Sequence, residues 1–362
     1  MEETAERPVR DADPDVLAAL TLRVWSFKQG QMVSLMIQLG DRLGLYAALD
    51  RAGPLSADEL AARTGLHRRW LLEWLRGQVA ARLLEHHGDD RFELSPEAAL
   101  LLAREGEVTF AAAAFDEERP PGYVDRLSDA FRSGIGLTYD DLGRGCAHHV
   151  ERMLGPVTRA LLVPVVIPAL DGVHDKLERG AVVADVGCGS GLALELLAHA
   201  YPRSQFLGYD LSRHAIETGR DRMGRAGLGN VEFHNERAEN LPPHLAFDLV
   251  LTFDCMHDMT RPDRAVAAIR RSLKADGTWL IKDIRSAPSF ADNMKNPLLA
   301  LMYASSVATC MSSAMSEPDG LGLGTLGFNA EVAEAMVRAG GFGRFRVHDF
   351  ADKANLYYEV RI

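Results

Sequence analysis

Two kinds of apolar pattern alternate along the second half of the chain. Short apolar runs of the length expected for buried strands are separated by stretches in which apolar residues recur every three or four positions, as in helices. The alternation predicts an α/β fold with a parallel sheet and right-handed crossovers. The predicted strands are 181–186, 205–210, 231–235, 248–253, 279–284, 345–350 and 356–361, and the predicted helices are 192–201, 213–226, 263–272 and 330–339.

An insert interrupts this alternation after the fifth predicted strand. It covers about 286–327, with a long helix predicted at about 292–315 and a glycine-rich segment at 319–327. Its side chains at Met302, Tyr303, Met311 and Met315 are typical of pocket walls that accept apolar surfaces, and equally of core packing.

The first hundred residues carry a mainly helical pattern. Leu17, Leu20, Val24 and Phe27 recur at helical spacing, and a second apolar stripe runs over 35–43. These stripes need a partner surface, which is either the rest of their own domain or a second copy of the chain.

Residues 55–104 have the order of a winged helix. Ser56 and Glu59 form a capping box that begins one helix, and a second helix begins near His67. A short hairpin is predicted over 82–94, and Ser95 followed by proline begins another helix. We therefore expect a winged-helix or dimerisation domain at 1–105, a helical connector at 106–180 and a catalytic domain at 181–362.

The composition is that of an ordinary globular protein. The 362 residues are 47% hydrophobic and 25% charged, which excludes disordered and fibrous classes. The four cysteines are widely separated and include no CxxC pair, which argues against a thiolate zinc site. His148 and His149 have no acidic or thiolate partner at ligand spacing, so we expect a solvated helix face there and no bound metal.

No targeting or membrane segment is predicted. The opening segment is charged and lacks the apolar core of a signal peptide. The stretch 298–315 has no formal charge but contains five Ser/Thr residues, which favours a buried helix over a membrane span. We expect a cytoplasmic protein with reduced thiols.

The charge balance argues against nucleic acid as a partner. The chain holds 51 acidic and 40 basic residues, for a formal charge of −11. Within 51–104, eight arginines are balanced by eight acidic residues, so the winged helix has no net positive charge. Trp70 and Trp74 in its second helix have the spacing of core residues. Dimerisation or covering of a substrate is therefore favoured over DNA binding.

The most informative motif lies between the first predicted strand and its helix. The segment Gly187-Cys188-Gly189-Ser190-Gly191 lets the backbone bend sharply beside a ligand, and Asp210 ends the next strand, where a carboxylate can accept hydrogen bonds from ribose hydroxyls. A dinucleotide motif has the spacing GxGxxG, which differs from the GxGxG found here. Asp185, two residues before the first glycine, disfavours a pyrophosphate and suits a cationic ligand. S-adenosylmethionine (SAM) is such a ligand.

Residues 181–284 resemble the core of class I SAM-dependent methyltransferases. The whole chain resembles a bacterial group with an N-terminal winged helix, some of whose members are labelled transcriptional regulators, through the segments 136–140, 253–259 and 302–324. The resemblance implies a Rossmann-like seven-stranded sheet. The cofactor-binding residues that it implies are Asp185, Gly187, Cys188, Gly189 and Gly191 at the methionine end, Asp210 at the ribose, Leu211 and Ala238 at the adenine, Phe253 and Asp254 at the sulfonium, and Tyr139 closing over the cofactor.

Two positions depart from the family pattern. The aspartate that usually meets the adenine amino group is Arg237, which cannot accept a hydrogen bond, so Ala238 or Glu239 is expected to substitute. Met259 stands where related small-molecule O-methyltransferases have a tryptophan after a His-Asp pair. The resemblance implies that His257 is a general base; the alternative is that His257 caps a helix or shapes the pocket. Asp258 is expected to orient or cap.

The sequence therefore predicts an enzyme that moves the SAM methyl group to a small, largely apolar acceptor, with oxygen preferred over nitrogen or carbon. A homodimer through the N-terminal helices is expected. A SAM-responsive winged-helix transcriptional regulator is the alternative function. A SAM-binding fold that performs other chemistry is the third.

Overall fold

The computed structural model describes residues 11–116, 119–244 and 246–362. The chain divides into two compact units, Met1–Asp116 and Glu117–Ile362. Most of the charged opening segment, on which the expectation about targeting rests, lies outside the described residues. The division into domains at 105 and 180 stays a prediction.

The first unit is a winged helix built of five helices and a small antiparallel sheet of order β1-β3-β2. Its capping box forms as predicted, because the Ser56 hydroxyl accepts from Glu59 N–H while the Glu59 carboxylate accepts from Ser56 N–H. The elements are α1 Pro14–Arg42, α2 Leu45–Leu49, β1 Leu55–Ser56, α3 Ala57–Thr64, α4 Arg68–Ala80, β2 Glu85–His86, β3 Arg91–Glu93, α5 Pro96–Leu102 and a 3-10 turn at Ala112–Phe115.

Tryptophan burial in this unit differs from the prediction at one position. Trp74 is buried against Tyr46, with ring centroids 5.2 Å apart, and its indole N–H donates to the Met36 carbonyl. Trp70 is 79% exposed, so its assignment to the core was wrong. The four-residue spacing puts both rings near one helix face, but Trp70 lies on the first turn of α4, where no element among the described residues covers it.

The second unit contains a seven-stranded mixed sheet of order β6-β5-β4-β7-β8-β10-β9. All neighbouring strands from β6 to β8 pair in parallel, and β10 pairs antiparallel with both β8 and β9. This confirms the predicted Rossmann-like class. The strands are β4 Val182–Val186, β5 Gln205–Tyr209, β6 Val231–His234, β7 Phe247–Phe253, β8 Leu273–Ile284, β9 Arg344–His348 and β10 Asn355–Arg361.

Helices cover both faces of this sheet. Leu194 and Leu197 belong to the core on one face, whereas Val266 and Ile269 belong to the core on the other. Ten or more apolar side chains on each face leave the strands buried on both sides, as parallel sheets require. The helices are α6 Tyr123–Ser133, α7 Gly145–Leu161, α8 Ile167–Ala169, α9 Val173–Arg179, α10 Leu192–Ala200, α11 Arg213–Ala226, α12 Pro262–Ser272, α13 Phe290–Asn293, α14 Leu299–Ser305, α15 Met311–Ala314 and α16 Ala330–Ala339.

The insert is not the single long helix predicted at about 292–315. α13 ends before Pro297, and α14 continues through a π-helical turn, Ser306–Cys310, into α15. Proline lacks the amide proton and disfavours helical backbone in the preceding residue, which explains the break. No single described helix is long and apolar enough to cross a membrane. The bent pair Gly145–Ala169 and Val173–Arg179 has the length and composition of a membrane span when its two helices are taken together.

Candidate functional site

The glycine loop after β4 lies where the strand order reverses. β4 has β5 on one side and β7 on the other, and in open α/β sheets this point forms a crevice at the carboxyl ends of the strands. Gly191 ends the loop with a φ of 81°, and a Cβ there would lie 2.5 Å from the Phe233 ring. Only glycine therefore fits at this start of α10.

Asp185 is the buried carboxylate of β4. Its side chain is 2% exposed, it lines a cavity beside the loop, and its Oδ1 has no hydrogen-bond partner. Burial raises the pKa of Asp185 to about 8, with a further contribution from the charge of Asp210. An unpartnered buried carboxylate is costly, and a cationic ligand in the cavity would remove that cost.

Asp210 stands after β5 and is held by backbone amides. Gly189 N–H and Ser212 N–H each donate to its carboxylate at 2.8 Å. Burial raises the pKa of Asp210, and these two hydrogen bonds oppose that rise. The carboxylate is thus fixed at the cavity wall.

The far end of the cavity is built by the loops after β5 and β6. Leu211 and Ala238 both line it, and Leu211 is 59% exposed. Arg237 lines the same end and donates two hydrogen bonds to Glu317, a residue of the insert. The structure therefore places a cation where the family has a carboxylate.

Phe253 and Asp254 end β7 and form a third part of the wall. Asp254 has a φ of 52° and pairs with Lys282 at 2.6 Å, while Asn355 donates a further hydrogen bond to its carboxylate. Lys282 is 3% exposed, so this ion pair is buried. Its position is fixed by two neighbouring strands, β8 and β10.

His257 is buried behind the cavity. Its Nδ1 donates to the Asp283 carboxylate at 2.6 Å, and the two side chains are 3% and 1% exposed. Burial lowers the pKa of His257, but the charge and hydrogen bond of Asp283 outweigh burial, so the pKa lies well above the ordinary value. His257 is not among the described residues that line the cavity.

Asp258, the next residue, does line the cavity. Its carboxylate accepts a hydrogen bond from the Tyr139 hydroxyl at 2.7 Å. Burial raises the pKa of Asp258 to about 7, although the neighbouring charge of His257 and the bond from Tyr139 lower it. A carboxyl group that titrates near neutral pH at a cavity wall has the properties of a general acid or base.

The structure brings most of the predicted site residues to one cavity of about 520 Å³. Two of them lie elsewhere: Gly191 packs on Phe233, and His257 lies behind the wall. The described lining also lacks the side chains of the insert that were predicted for a pocket wall; the insert contributes Ser313, Ser316 and Glu317 instead. The predicted residues on the wall are Tyr139, Asp185, Gly187, Cys188, Gly189, Asp210, Leu211, Ala238, Phe253, Asp254 and Asp258.

Three polar residues at the site were missed from the sequence. Asp283 ends β8, and its position at the carboxyl end of a neighbouring strand is the signal that could have identified it as the partner of His257. Glu151 on α7 accepts from the Ser190 hydroxyl and pairs with Arg222 at 2.5 Å. These contacts connect the glycine loop to α7 and α11. Neither Glu151 nor Glu317 lies in a recognisable motif.

The charges of the cavity fit SAM. Nine carboxylates line it against three cationic side chains, Arg237, Arg261 and Lys282, and all three cations have acidic partners at 2.6 Å or less. Asp185 keeps an unpartnered oxygen, and its raised pKa means that a cation beside it would favour its ionised form. SAM carries an ammonium and a sulfonium against one carboxylate, and this net positive charge suits a cavity rich in carboxyl groups.

One further polar cluster lies in the first unit. Glu85, His87 and Glu93 on the β2–β3 hairpin have ligand atoms within 4.8 Å of one another, a spacing that could hold a metal ion. These groups are exposed or half-buried, and His87 pairs with Glu93 at 2.8 Å.

Comparison with known protein families agrees with the fold and the cavity. Residues 177–354 match a family described as "Methyltransferase domain", and residues 31–104 match an "Rv2258c-like winged HTH domain". A ubiquinone biosynthesis O-methyltransferase of Neisseria meningitidis serogroup C is 30% identical over 129 residues, which are 34% of this chain and 52% of that protein. The chain thus spans about half the length of the curated relatives it matches.

Solved structures share the fold over nearly the whole chain. Human N-acetylserotonin methyltransferase in complex with SAM has a TM-score of 0.67 at 16% identity, covering 98% of this chain and 99% of that one. The mitomycin 7-O-methyltransferase MmcR has a TM-score of 0.68 at 20% identity, covering 96% and 99%. The fold and the matched families define the class: residues 177–354 match a methyltransferase domain, the sheet has the fold of solved methyltransferases, and the matched winged-helix domain precedes it.

The buried carboxyl of Asp185 should make stability depend on pH. Because the folded state raises its pKa to about 8, the folded protein binds a proton that the unfolded chain has released. The free energy of unfolding should therefore fall by up to about 1.4 kcal/mol per pH unit between about pH 4 and pH 8 on account of this group. Asp185→Asn should flatten this slope in urea titrations.

The exposed Asp276→Asn is the matched control. Its hydrogen bond and charge contact with Lys176 lower the pKa of Asp276, so this group titrates below the range. If the pH dependence of the unfolding free energy is the same in Asp185→Asn as in the unaltered protein, the raised pKa does not belong to Asp185.

Proposed function

We propose that the protein is a SAM-dependent methyltransferase that acts on a small, largely apolar acceptor through an oxygen atom. The observation that carries this proposal is the cavity at the carboxyl ends of β4, β5 and β7, where Asp185 keeps an unpartnered buried oxygen beside Asp210. The matched methyltransferase-domain family supports it, as do neighbours named for O-methylation.

The residues on the wall divide into three groups by position. Asp185 and the loop Gly187-Cys188-Gly189 would hold the amino-acid end of the cofactor, Asp210 the ribose hydroxyls, and Leu211 with Ala238 the adenine. Phe253 and Asp254 would border the sulfonium. When bound, SAM supplies an electrophilic methyl group.

An apolar acceptor is supported by the side of the cavity formed by α7. Val150, Leu154 and Met259 line the cavity together with the short hydroxyl side chains of Ser313 and Ser316. Such a mixture of apolar surface with a few polar groups is typical of small-molecule sites. Positioning of the acceptor oxygen in line with the methyl group would account for a large part of the rate enhancement.

Asp258 is the group that we propose takes the proton from the acceptor hydroxyl. It faces the cavity, and its pKa of about 7 leaves much of it ionised at neutral pH. His257, whose pKa is raised by Asp283, is a cation beside it and stabilises the carboxylate. His257 is thereby assigned a supporting role, which is the structural alternative that the sequence left open.

The function is tested by turnover. Purified protein with SAM and a panel of phenols, aromatic amines and activated carbon acids should release S-adenosylhomocysteine (SAH) with the phenols. Asp210→Asn should weaken SAH binding by at least about tenfold, because each ribose hydroxyl loses a charged acceptor. SAH binding without methyl transfer to any panel member, together with a salt-dependent shift of promoter DNA, would instead identify the regulator.

The charges of α4 favour the enzyme over that regulator. Arg68, Arg69 and Arg76 pair with Asp58, Glu73 and Asp90 at 2.8 Å or less. These arginines are therefore partly neutralised before any phosphate approaches, which weakens the electrostatic attraction that DNA binding needs.

The pH profile distinguishes the two candidate bases. With Asp258 as the base, kcat should rise through about pH 7 in the unaltered protein, and Asp258→Asn should lower kcat by about 10²–10⁴-fold and remove that rise. His257→Asn should move the rise to higher pH with a smaller loss, because a stabilising cation disappears. The opposite ranking of the two variants, in proteins with matching thermal transitions, would assign the base to His257.

We also propose that the protein forms a homodimer through α1 and that it is located in the cytoplasm. α1 has few buried residues in the described structure, and an isolated helix with so much apolar surface requires a partner. A second copy of α1 supplies the same apolar surface. The exposed apolar side chains of α1 are Val16, Leu17, Leu20, Leu22, Val24, Trp25, Phe27, Met32, Leu35 and Leu39.

Sedimentation should detect this dimer. Leu20→Glu combined with Phe27→Glu should raise the dimer dissociation constant by about a hundredfold or more, because two charges enter an apolar interface. Val347→Glu, at a similarly exposed apolar position in β9, serves as the control. Dimers of unaltered affinity in the α1 variant would exclude this interface.

A further inference from the structure

Arg237 is the residue at the adenine end of the cavity that departs from the family pattern. It belongs to the loop after β6, immediately before the 3-10 turn Ala238–Asn240, and it lines the cavity. A guanidinium only donates hydrogen bonds and stays protonated, so it cannot accept from an adenine amino group. Its planar face can instead pack on an aromatic base.

The guanidinium is held in one orientation by the insert. Nη1 donates to Glu317 Oε1 at 2.6 Å and Nη2 donates to Glu317 Oε2 at 2.9 Å, which is a two-pronged ion pair. Nη2 also lies 3.4 Å from the Thr260 hydroxyl. These contacts occupy in-plane donors of Arg237 and leave its faces for a ligand.

Glu317 is itself fixed by a second ion-pair cluster two residues away. Asp319 accepts from Arg261 at 2.9 Å and from Arg264 at 2.8 Å. Leu321 N–H donates to the Thr260 carbonyl at 2.9 Å. The segment 316–321 is thereby attached to the loop after β7 as well as to the adenine end.

The same insert also holds the segment that carries Tyr139. The Ser312 hydroxyl accepts from Leu137 N–H at 2.7 Å, and the Met315 carbonyl accepts from Gly136 N–H at 2.9 Å. The two backbones approach so closely that a Cβ on Gly136 would lie 2.0 Å from the Ser312 carbonyl oxygen. Tyr139 in turn donates to Asp258.

We propose that Arg237 and Glu317 are a positioning pair, in which Arg237 packs on the adenine of the cofactor and Glu317 transmits that contact to the insert and the acceptor side of the cavity. This inference rests on the proposed cofactor but not on turnover. Binding of an adenosine ligand then further stabilises the segment 306–323, which includes Ser313 and Ser316.

Calorimetry and hydrogen exchange with SAH test the pair. Arg237→Gln and Glu317→Gln should each weaken SAH binding about tenfold. The double variant should bind SAH with the same affinity as either single variant, because the two residues act as one unit. Arg237→Lys should not rescue binding, since an ammonium lacks the planar face. Adenosine should lose affinity by the same factor as SAH.

Hydrogen exchange separates positioning from a merely structural role. SAH should slow exchange in peptides covering 306–323 of the unaltered protein, and saturating SAH should fail to do so in Glu317→Gln. Asp349→Asn is the matched control, because it breaks a two-pronged pair with Arg285, at 3.0 and 3.2 Å, formed by residues that do not line the described cavity wall. This control should retain both SAH affinity and protection.

The outcomes that would overturn the inference differ from those that would overturn the function. Unaltered SAH affinity in Arg237→Gln, or protection of 306–323 that persists in Glu317→Gln, rejects the positioning pair alone. Failure of the unaltered protein to bind SAH rejects the proposed cofactor and the pair together. Retained SAH binding without methyl transfer rejects the proposed enzyme and leaves the pair established by the binding data.

Discussion

The site depends on two buried carboxyl groups, Asp185 and Asp210, for which the described structure shows no cationic partner. Asp185 lies at the end of the central strand β4 with an unpartnered oxygen, and Asp210 lies beside it, held by two backbone amides. Burial, with a further contribution from the charge of Asp210, raises the pKa of Asp185, and the ionised form of Asp185 therefore opposes folding. A cationic ligand converts this cost into binding free energy. The glycine loop, the helix α7 and the strand ends form the enclosure in which that conversion takes place.

A second arrangement places the acid–base groups. His257 and Asp283 form a buried ion pair behind the wall, and Asp258 carries the negative charge to the cavity surface, where Tyr139 donates to it. The cation at His257 keeps the pKa of Asp258 near neutrality although the carboxyl is buried. The proton transfer that we propose at this site therefore depends on a group of side chains from β8, the loop after β7 and the segment that carries Tyr139. Two adjacent buried residues thus differ in whether they line the cavity, and we propose different roles for them.

Sequence reasoning placed the strands of the sheet to within a few residues, except that β8 begins at Leu273, earlier than predicted. It also identified the loop, Asp185 and Asp210, because apolar periodicity and glycine spacing are local properties of the chain. Sequence reasoning failed where contacts between residues distant in the chain determine burial or the partner of a side chain. Trp70 has the spacing of a core residue but is exposed. The helix of the insert is interrupted around Pro297, and the later part of the insert places Ser313 and Ser316 at the cavity. Arg237 was recognised as a departure, but its partner Glu317 is 80 residues away.

The sequence by itself determined the fold class and the charge of the cofactor cavity, because both follow from patterns within single βα units. Only the tertiary structure decided which acidic residue faces the cavity, what holds His257, and how the insert meets the adenine end. These depend on which strand ends and loops become neighbours. Asp283 and His257 are 26 residues apart, and Tyr139 and Asp258 are 119 apart, yet each pair lies within hydrogen-bonding distance. The sheet order brings them together, and no local spacing encodes such contacts.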